Sequence, residues 1–267
     1  MFRGFYTAAS GMLTQMQREQ MLTNNLANVN TPGYKADRAV ERAFPQMLIE
    51  RIHDGKPPAE SKVGGLATGV YVQETVPKFV EGGLKETGSS TDVALLQGNV
   101  PDADGTLFFA VQNAKGQVRY TRDGNFTVDA KGRIVDNAGD FVLGMNGNPI
   151  TVADPQFQVR NDGTVVDNGT VAGQIQVAYA GNPMNLVKEG NGLFHVPAGS
   201  NPLPSAAGNA RISYQLKQGF LERSNVDTEK TMVELMGAFR NLQANQQVLK
   251  AYDHTMGLAV NKVGSLT

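Results

Sequence analysis

The chain has 267 residues, 24 Lys and Arg against 25 Asp and Glu, a formal net charge of −1, and neither cysteine nor tryptophan. Without cysteine there is no disulfide framework and no Cys-ligated metal site. Near-neutral charge argues against a nucleic-acid binder working through bulk electrostatics, and no apolar run approaches the roughly 18 residues of a membrane-spanning helix.

Residues 1–31 read as helix. Phe5, Ala9, Met12, Met16, Leu22 and Leu26 recur at steps close to three and four, an apolar stripe. The opening run Met1 to Thr7 lacks the continuous apolar stretch of a cleavable secretory signal. Asn30-Thr31-Pro32-Gly33 ends the helix, because the residue before a proline is pushed out of the α region. Residues 36–66 follow as a connector that orders against a partner. Ala39, Val40, Ala43, Phe44, Met47, Leu48 and Ile52 have helical spacing there, interrupted by Pro45.

Residues 67–220 read as β. Asp104-Gly105, Lys115-Gly116, Asp123-Gly124, Lys131-Gly132, Ala138-Gly139, Asn146-Gly147, Asp162-Gly163 and Asn168-Gly169 punctuate a hairpin-rich part over about 99–170. Short alternating runs lie between them, as expected of a sandwich or barrel. The strands of 70–98 and 174–220 are expected to form a second β unit that returns the chain beside its start.

Residues 221–267 read as one long helix. Met232, Leu235, Phe239, Leu242, Gln246, Leu249, Asp253, Met256, Val260 and Val263 step by alternating threes and fours, a heptad register. Such a helix cannot stand alone in water and needs the N-terminal stripe, and other chains, to bury it. Of the 38 Asn and Gln, 14 fall in residues 1–30 and 225–267, on faces that a solvated helix would fill with Lys and Glu. Amides carry no charge-desolvation penalty, so helices surrounded by their own copies would be built this way.

Catalytic patterns are missing. His53, His195 and His254 form no paired zinc motif. Asp102-Ala103-Asp104-Gly105 has its glycine at the wrong place for a calcium loop and reads as a turn. Gly190-Asn191-Gly192 lacks the third glycine of a dinucleotide loop. No phosphate loop or nucleophile elbow is present. A carboxylate pair for sugar chemistry stays open, since any two acids could meet in the fold, but no spacing singles one out; the reading is not an enzyme, with no cofactor and no metal.

Three stretches carry a resemblance. Asn24-Asn25-Leu26-Ala27-Asn28-Val29-Asn30-Thr31-Pro32-Gly33-Tyr34-Lys35 resembles the N-terminal signature of the bacterial flagellar rod and hook family. Tyr120-Thr121-Arg122-Asp123-Gly124-Asn125-Phe126 is similar to that family's central hairpin, and Phe220-Leu221-Glu222-Arg223-Ser224-Asn225-Val226 to the segment opening its C-terminal helix. Length and the single modest β region look like the distal-rod, hook-basal-body type.

The resemblance implies a mainly β protein whose long terminal helices pair in a coiled-coil-like inner layer. It implies a structural subunit of the flagellar basal body, outside the cytoplasm. That subunit polymerises into a helical tube that carries motor torque to the hook. Its partners would be copies of itself, neighbouring rod and hook proteins and the flagellar type III export apparatus, with no nucleic acid and no membrane insertion. The expected polymerisation residues fall into groups. Leu26, Met232, Leu235, Phe239, Leu242, Leu249, Met256 and Val260 supply the seam. Asn25, Asn28, Asn30 and Thr31 satisfy amides at the helix end, and Pro32, Gly33, Tyr34 and Lys35 fix the exit turn and reach an adjacent subunit. Ser224 and Asn225 mark the start of the second helix. The alternatives are a cap or adaptor that does not polymerise, and a peptidoglycan-binding or remodelling β protein docked on the basal body.

Overall fold

The computed structural model describes residues 3–45, 47–50 and 62–263. It is mostly antiparallel β-sheet with one helix near each end, and divides into two compact units.

The first unit holds both helices, α1 (Arg3–Ala27) and α2 (Thr228–Val263), with residues 37–76. Helix α2 begins at Thr228, where the Asp227 side chain accepts from Lys230 N at 3.0 Å as an N-cap. The two helices pack antiparallel, with Gly4 beside Tyr252, Gly11 beside Asn245 and Arg18 paired to Glu234 at 3.9 Å. The helical spacing of residues 39–48 is overturned. Asp37–Ala43 is a strand paired with Val70–Pro77, and Met47–Glu50 is a strand paired with Lys62–Leu66. Pro45 denies any helix an interior hydrogen bond at this point, and strand pairing supplies the backbone partners instead. Ile52, His53 and the Lys56-Pro57-Pro58 loop lie outside the described residues.

The second unit comprises residues 28–36 and 77–226. Its centre is the strand Thr106–Gln112, flanked in one sheet by Val118–Thr121, Phe141–Val142 and Val177–Ala180. The pleat sends alternate residues to opposite faces. Leu107, Phe109 and Val111 join Val93, Leu95, Phe126, Val177 and Leu216 in one apolar cluster, while Phe108 and Ala110 join Tyr120, Ala178 and Phe194 in the other. Both faces are covered, which is why the strand reads as a continuous apolar run.

Most of the X-Gly signals are hairpin turns. Gly116, Gly132, Gly139 and Gly163 each donate to the carbonyl three residues back, at 2.9–3.0 Å. Asn168 and Gly169 both have positive φ, 47° and 80°, the geometry of a two-residue hairpin. Asp123-Gly124 differs: it is a close approach, since a Cβ at Gly124 would overlap the Val93 carbonyl oxygen. The outer strands pair across the chain's length, Val93–Gln97 with Tyr214–Gln218 and Leu84–Glu86 with Phe220–Glu222. Val93, Leu95 and Leu216 of the first pair share the core of the hairpin region rather than building a separate one.

Candidate functional site

Two arrangements gather the residues singled out from sequence: an ion cluster in the β-rich unit and a seam between the helices.

The ion cluster begins where the chain leaves α1. Thr31 N–H donates to Asn28 O at 3.2 Å, a one-turn cap, and Pro32 then prevents continuation. Gly33 has φ +64° and donates its N–H to Glu222 O at 2.8 Å. A Cβ there would overlap the Arg122–Asp123 peptide, so only glycine fits. This places Tyr34 and Lys35 in the interior, 5% and 2% exposed. Lys35 Nζ donates to Glu222 Oε1 at 2.6 Å and to Val80 O at 2.9 Å. Arg122 Nε donates to Glu222 Oε2 at 2.8 Å, and its other nitrogens reach Leu107 O and Leu95 O at 3.0 Å and Glu81 Oε1 at 3.1 Å. Gly82 N–H adds a second donor to Glu222 Oε1 at 2.9 Å.

Two cations thus face two carboxylates, and only Glu81 is substantially open to solvent. Burial pushes Lys35 below the ordinary lysine range, against the pull of Glu222. Burial also pushes Glu222 up, but Arg122 and Lys35 outweigh it and hold the carboxyl below its ordinary value. Glu222 is therefore ionised at neutral pH, balanced by the Arg122 and Lys35 cations beside it. Such a cluster adds little net stability but is costly to break, because any survivor is a buried unpaired charge.

Asparagines tie the flanks. Asn25 in α1 makes a two-way bond with the Asp37 backbone, at 2.7 and 2.9 Å. Asn225 accepts from Ala36 N at 2.7 Å and donates to Lys78 O and Val80 O at 2.7 and 3.0 Å. Ser224 Oγ accepts from Val226 N at 3.3 Å. Of the residues expected to reach an adjacent subunit, Gly33, Tyr34 and Lys35 are committed to this chain's own interior. Asn30 stays exposed and, with half-buried Pro32 and Ser224, lines a groove of about 380 Å³ beside Leu84, Lys85 and Arg223.

The helical seam is one residue out of phase with the sequence reading at every other position. In α2 the less exposed residues are Thr231, Leu235, Ala238, Leu242, Asn245, Leu249, Tyr252 and Met256, an alternation of fours and threes. Leu235, Leu242, Leu249 and Met256 are shared with the expected register. Met232, Phe239, Gln246 and Asp253 are not: their inward places are taken by Thr231, Ala238, Asn245 and Tyr252. In α1 the same periodicity picks out Gly4, Ala8, Gly11, Gln15, Arg18, Leu22 and Asn25. Of the expected stripe, Leu22 is buried, while Phe5, Ala9, Met12 and Leu26 are half-buried. The mutual contact alternates leucine and methionine with small residues, amides and Tyr252 in α2, and uses mostly small and polar residues in α1. Large apolar side chains remain outside: Tyr6 68%, Leu13 53%, Met232 47%, Met236 55%, Phe239 48% and Val260 71% exposed.

Sequence reasoning quoted Arg122, Glu222, Gly4 and Gly11 in motifs without assigning them a role, counted Asn245 among the helix amides, and missed Glu81 and Tyr252. Two glycines seven apart inside one helix were the available signal, since glycine there costs about 1 kcal/mol unless packing requires it. Among the described residues no His, Cys, Asp and Glu group is placed to hold a metal ion, and no helix is long and apolar enough to cross a membrane. His195 lies in the strand Leu193–His195 and His254 in α2.

Three family models match the chain. They are flagella basal body rod protein over residues 5–35, the flagellar hook protein FlgE/F/G D1 domain over 103–177, and the flagellar basal body rod FlgEFG protein C-terminal region over 217–261. Lys35, Arg122 and Glu222 each fall in a different one. The flagellar hook-basal body complex protein FlhO of Bacillus subtilis is 44% identical over 273 residues, with 100% of both chains covered. The flagellar basal-body rod protein FlgG of Borreliella burgdorferi is 31% identical with 98% of each covered. The flagellar basal-body rod protein FlgF of Caulobacter vibrioides is 30% identical with 100% of each covered.

Proposed function

The chain belongs to the bacterial flagellar rod and hook family, and from that premise we propose that it polymerises through the faces of α1 and α2 that flank their shared seam. It is a structural, non-enzymatic component of the flagellar basal body that serves motility, assembling with its own copies and with neighbouring rod and hook proteins.

The observation that carries the polymer reading is the exposure of Met232, Met236, Phe239 and Val260 on one helix and of Tyr6 and Leu13 on the other. Side chains of that size are normally buried, and six of them on two adjacent helices mark an interaction surface. A surface that meets a different surface on the next copy builds a helical filament rather than a closed ring. The filament transmits torque to the hook, and the subunit reaches it through the flagellar type III export apparatus. In this reading the two terminal helices make the contact between copies. Leu26, Leu235, Leu242, Leu249 and Met256 hold the helices to each other, and Met232, Phe239 and Val260 meet the next copy.

The test separates the two sets. Phe239→Asp with Met232→Asp should abolish rods in purified basal bodies while the monomer keeps its helix content and its unfolding midpoint. Leu235→Asp should lower helix content in the monomer itself. Rods that still form with both outer aspartates would leave the cap or adaptor reading standing, and copy number per basal body would then be low.

A further inference from the structure

The helix pair carries a built-in register lock. Gly4 and Gly11 are seven residues apart in α1, and Tyr252 and Asn245 are seven apart in α2. A Cβ on Gly4 would overlap the Tyr252 phenol oxygen, and one on Gly11 would stand 3.1 Å from Asn245 Nδ2. Continuing the same step brings Arg18 level with Ala238 and Asn25 level with Thr231. Glu234, paired to Arg18, lies one turn from Ala238, and Ala238, Asn25 and Thr231 are all buried. The first two layers therefore set a glycine of α1 against a larger side chain of α2, and the third sets Arg18 against an alanine.

We infer that the two glycine layers fix the register of α1 on α2, with Gly4 and Gly11 as notches for Tyr252 and Asn245. A slip of one heptad in one direction sets Gly11 against Ala238 and leaves a void. A slip in the other direction sets Gly11 against Tyr252 and Arg18 against Asn245, and the layer overfills. A seam of uniform leucines would tolerate both slips. Register decides which outer residues stand side by side, so it sets the relative positions of the exposed apolar groups on the two helices. That last consequence rests on the polymer reading; the lock itself does not.

Glycine elsewhere in α2 supplies the control. Gly237 and Gly257 have no atom within 4 Å of a built Cβ, so a side chain there meets open space. The chain has no native cysteine, so Arg18→Cys with Glu234→Cys gives a clean thiol pair that reports native register. Intrachain crosslinking of the full chain by a short thiol–thiol reagent is the measurement. Gly11→Asn should lower the yield by about fivefold or more, because even a modest bias between two registers shifts populations strongly. Exchanging the layer, Gly11→Asn with Asn245→Gly, should restore it, and Gly237→Asn should leave it unchanged. A parental yield from Gly11→Asn, or an exchange as poor as the single variant, would overturn the lock. Rod assembly by the same variants reads the polymer proposal separately. Native crosslinking in a variant that makes no rods counts against the register as the sole requirement for assembly, without touching the lock.

Discussion

The strand Thr106–Gln112 and the helix Thr228–Val263 meet water in opposite ways. In the strand, Leu107 to Val111 are each 0% exposed. In the helix, Met232, Met236 and Phe239 are each about half exposed. The β-rich unit holds a closed apolar core and a buried ion cluster, whereas α2 covers its face toward α1 and leaves large apolar side chains exposed on its other faces. The exposed apolar surface that the polymer proposal needs therefore lies on the helices.

The sharpest way to break that comparison is to cut equivalent groups from both parts. Phe109→Ala should cost about 3–5 kcal/mol in denaturant unfolding of the monomer, since it opens a cavity in a core with no slack. Phe239→Ala should cost no more than about 0.5 kcal/mol in the same measurement. Equal losses would mean that the helix face is already buried in the monomer.

Glu222→Gln should rank close behind, at about 3–5 kcal/mol, because it strands two buried cations. Glu81→Gln, at a half-exposed carboxylate, should cost about 1 kcal/mol or less. If the two variants melt alike, Glu222 is not the centre of the cluster.

A smaller effect should appear at Asp123. Burial, reinforced by Asp136 and Asp92, raises its carboxyl to about 6. Because the folded value lies above the unfolded one, the favourable contribution belongs to the protonated form. It is complete below about pH 4 and is lost as the pH rises through about 6. Asp123→Asn, which keeps the acceptor for Asn125 N–H, should therefore stabilise the protein by about 1–2 kcal/mol at pH 7.5 and by almost nothing at pH 3.5. A gain independent of pH would show that charge is not the cause. The smallest change is expected from Arg18→Ala, whose ion pairs to Glu41 and Glu234 are long and partly solvated. It should alter helix melting by less than about 0.5 kcal/mol and respond weakly to salt.

Much of the fold was legible, and the misses have physical causes. Hairpin turns announced themselves because an X-Gly dipeptide needs only its own backbone angles, as at Asn168-Gly169. The helices were visible from periodicity, but their phase was not. Counting apolar residues favoured Met232 and Phe239, while the actual seam takes Thr231, Ala238, Asn245 and Tyr252, the last two lying against Gly11 and Gly4 where the backbones come close. The helical spacing over 39–48 misled because a short apolar run fits either period, and a partner strand at Val70–Pro77 decided it. The family resemblance has Tyr34 and Lys35 fix the exit turn and reach an adjacent subunit, whereas both are buried in their own chain. Their burial depends on Gly33 turning the chain against Arg122, an approach no local pattern encodes.

By itself the sequence determined the order helix, β, helix, the positions of the turns and the three family stretches, because each depends on a few neighbouring residues. Tertiary structure alone decided that Lys35 and Arg122 converge on Glu222 across 187 and 100 residues of chain. It also decided which face of each helix its partner covers. Both depend on packing between distant segments, where a single step along a helix turns a side chain by about 100° from seam to surface.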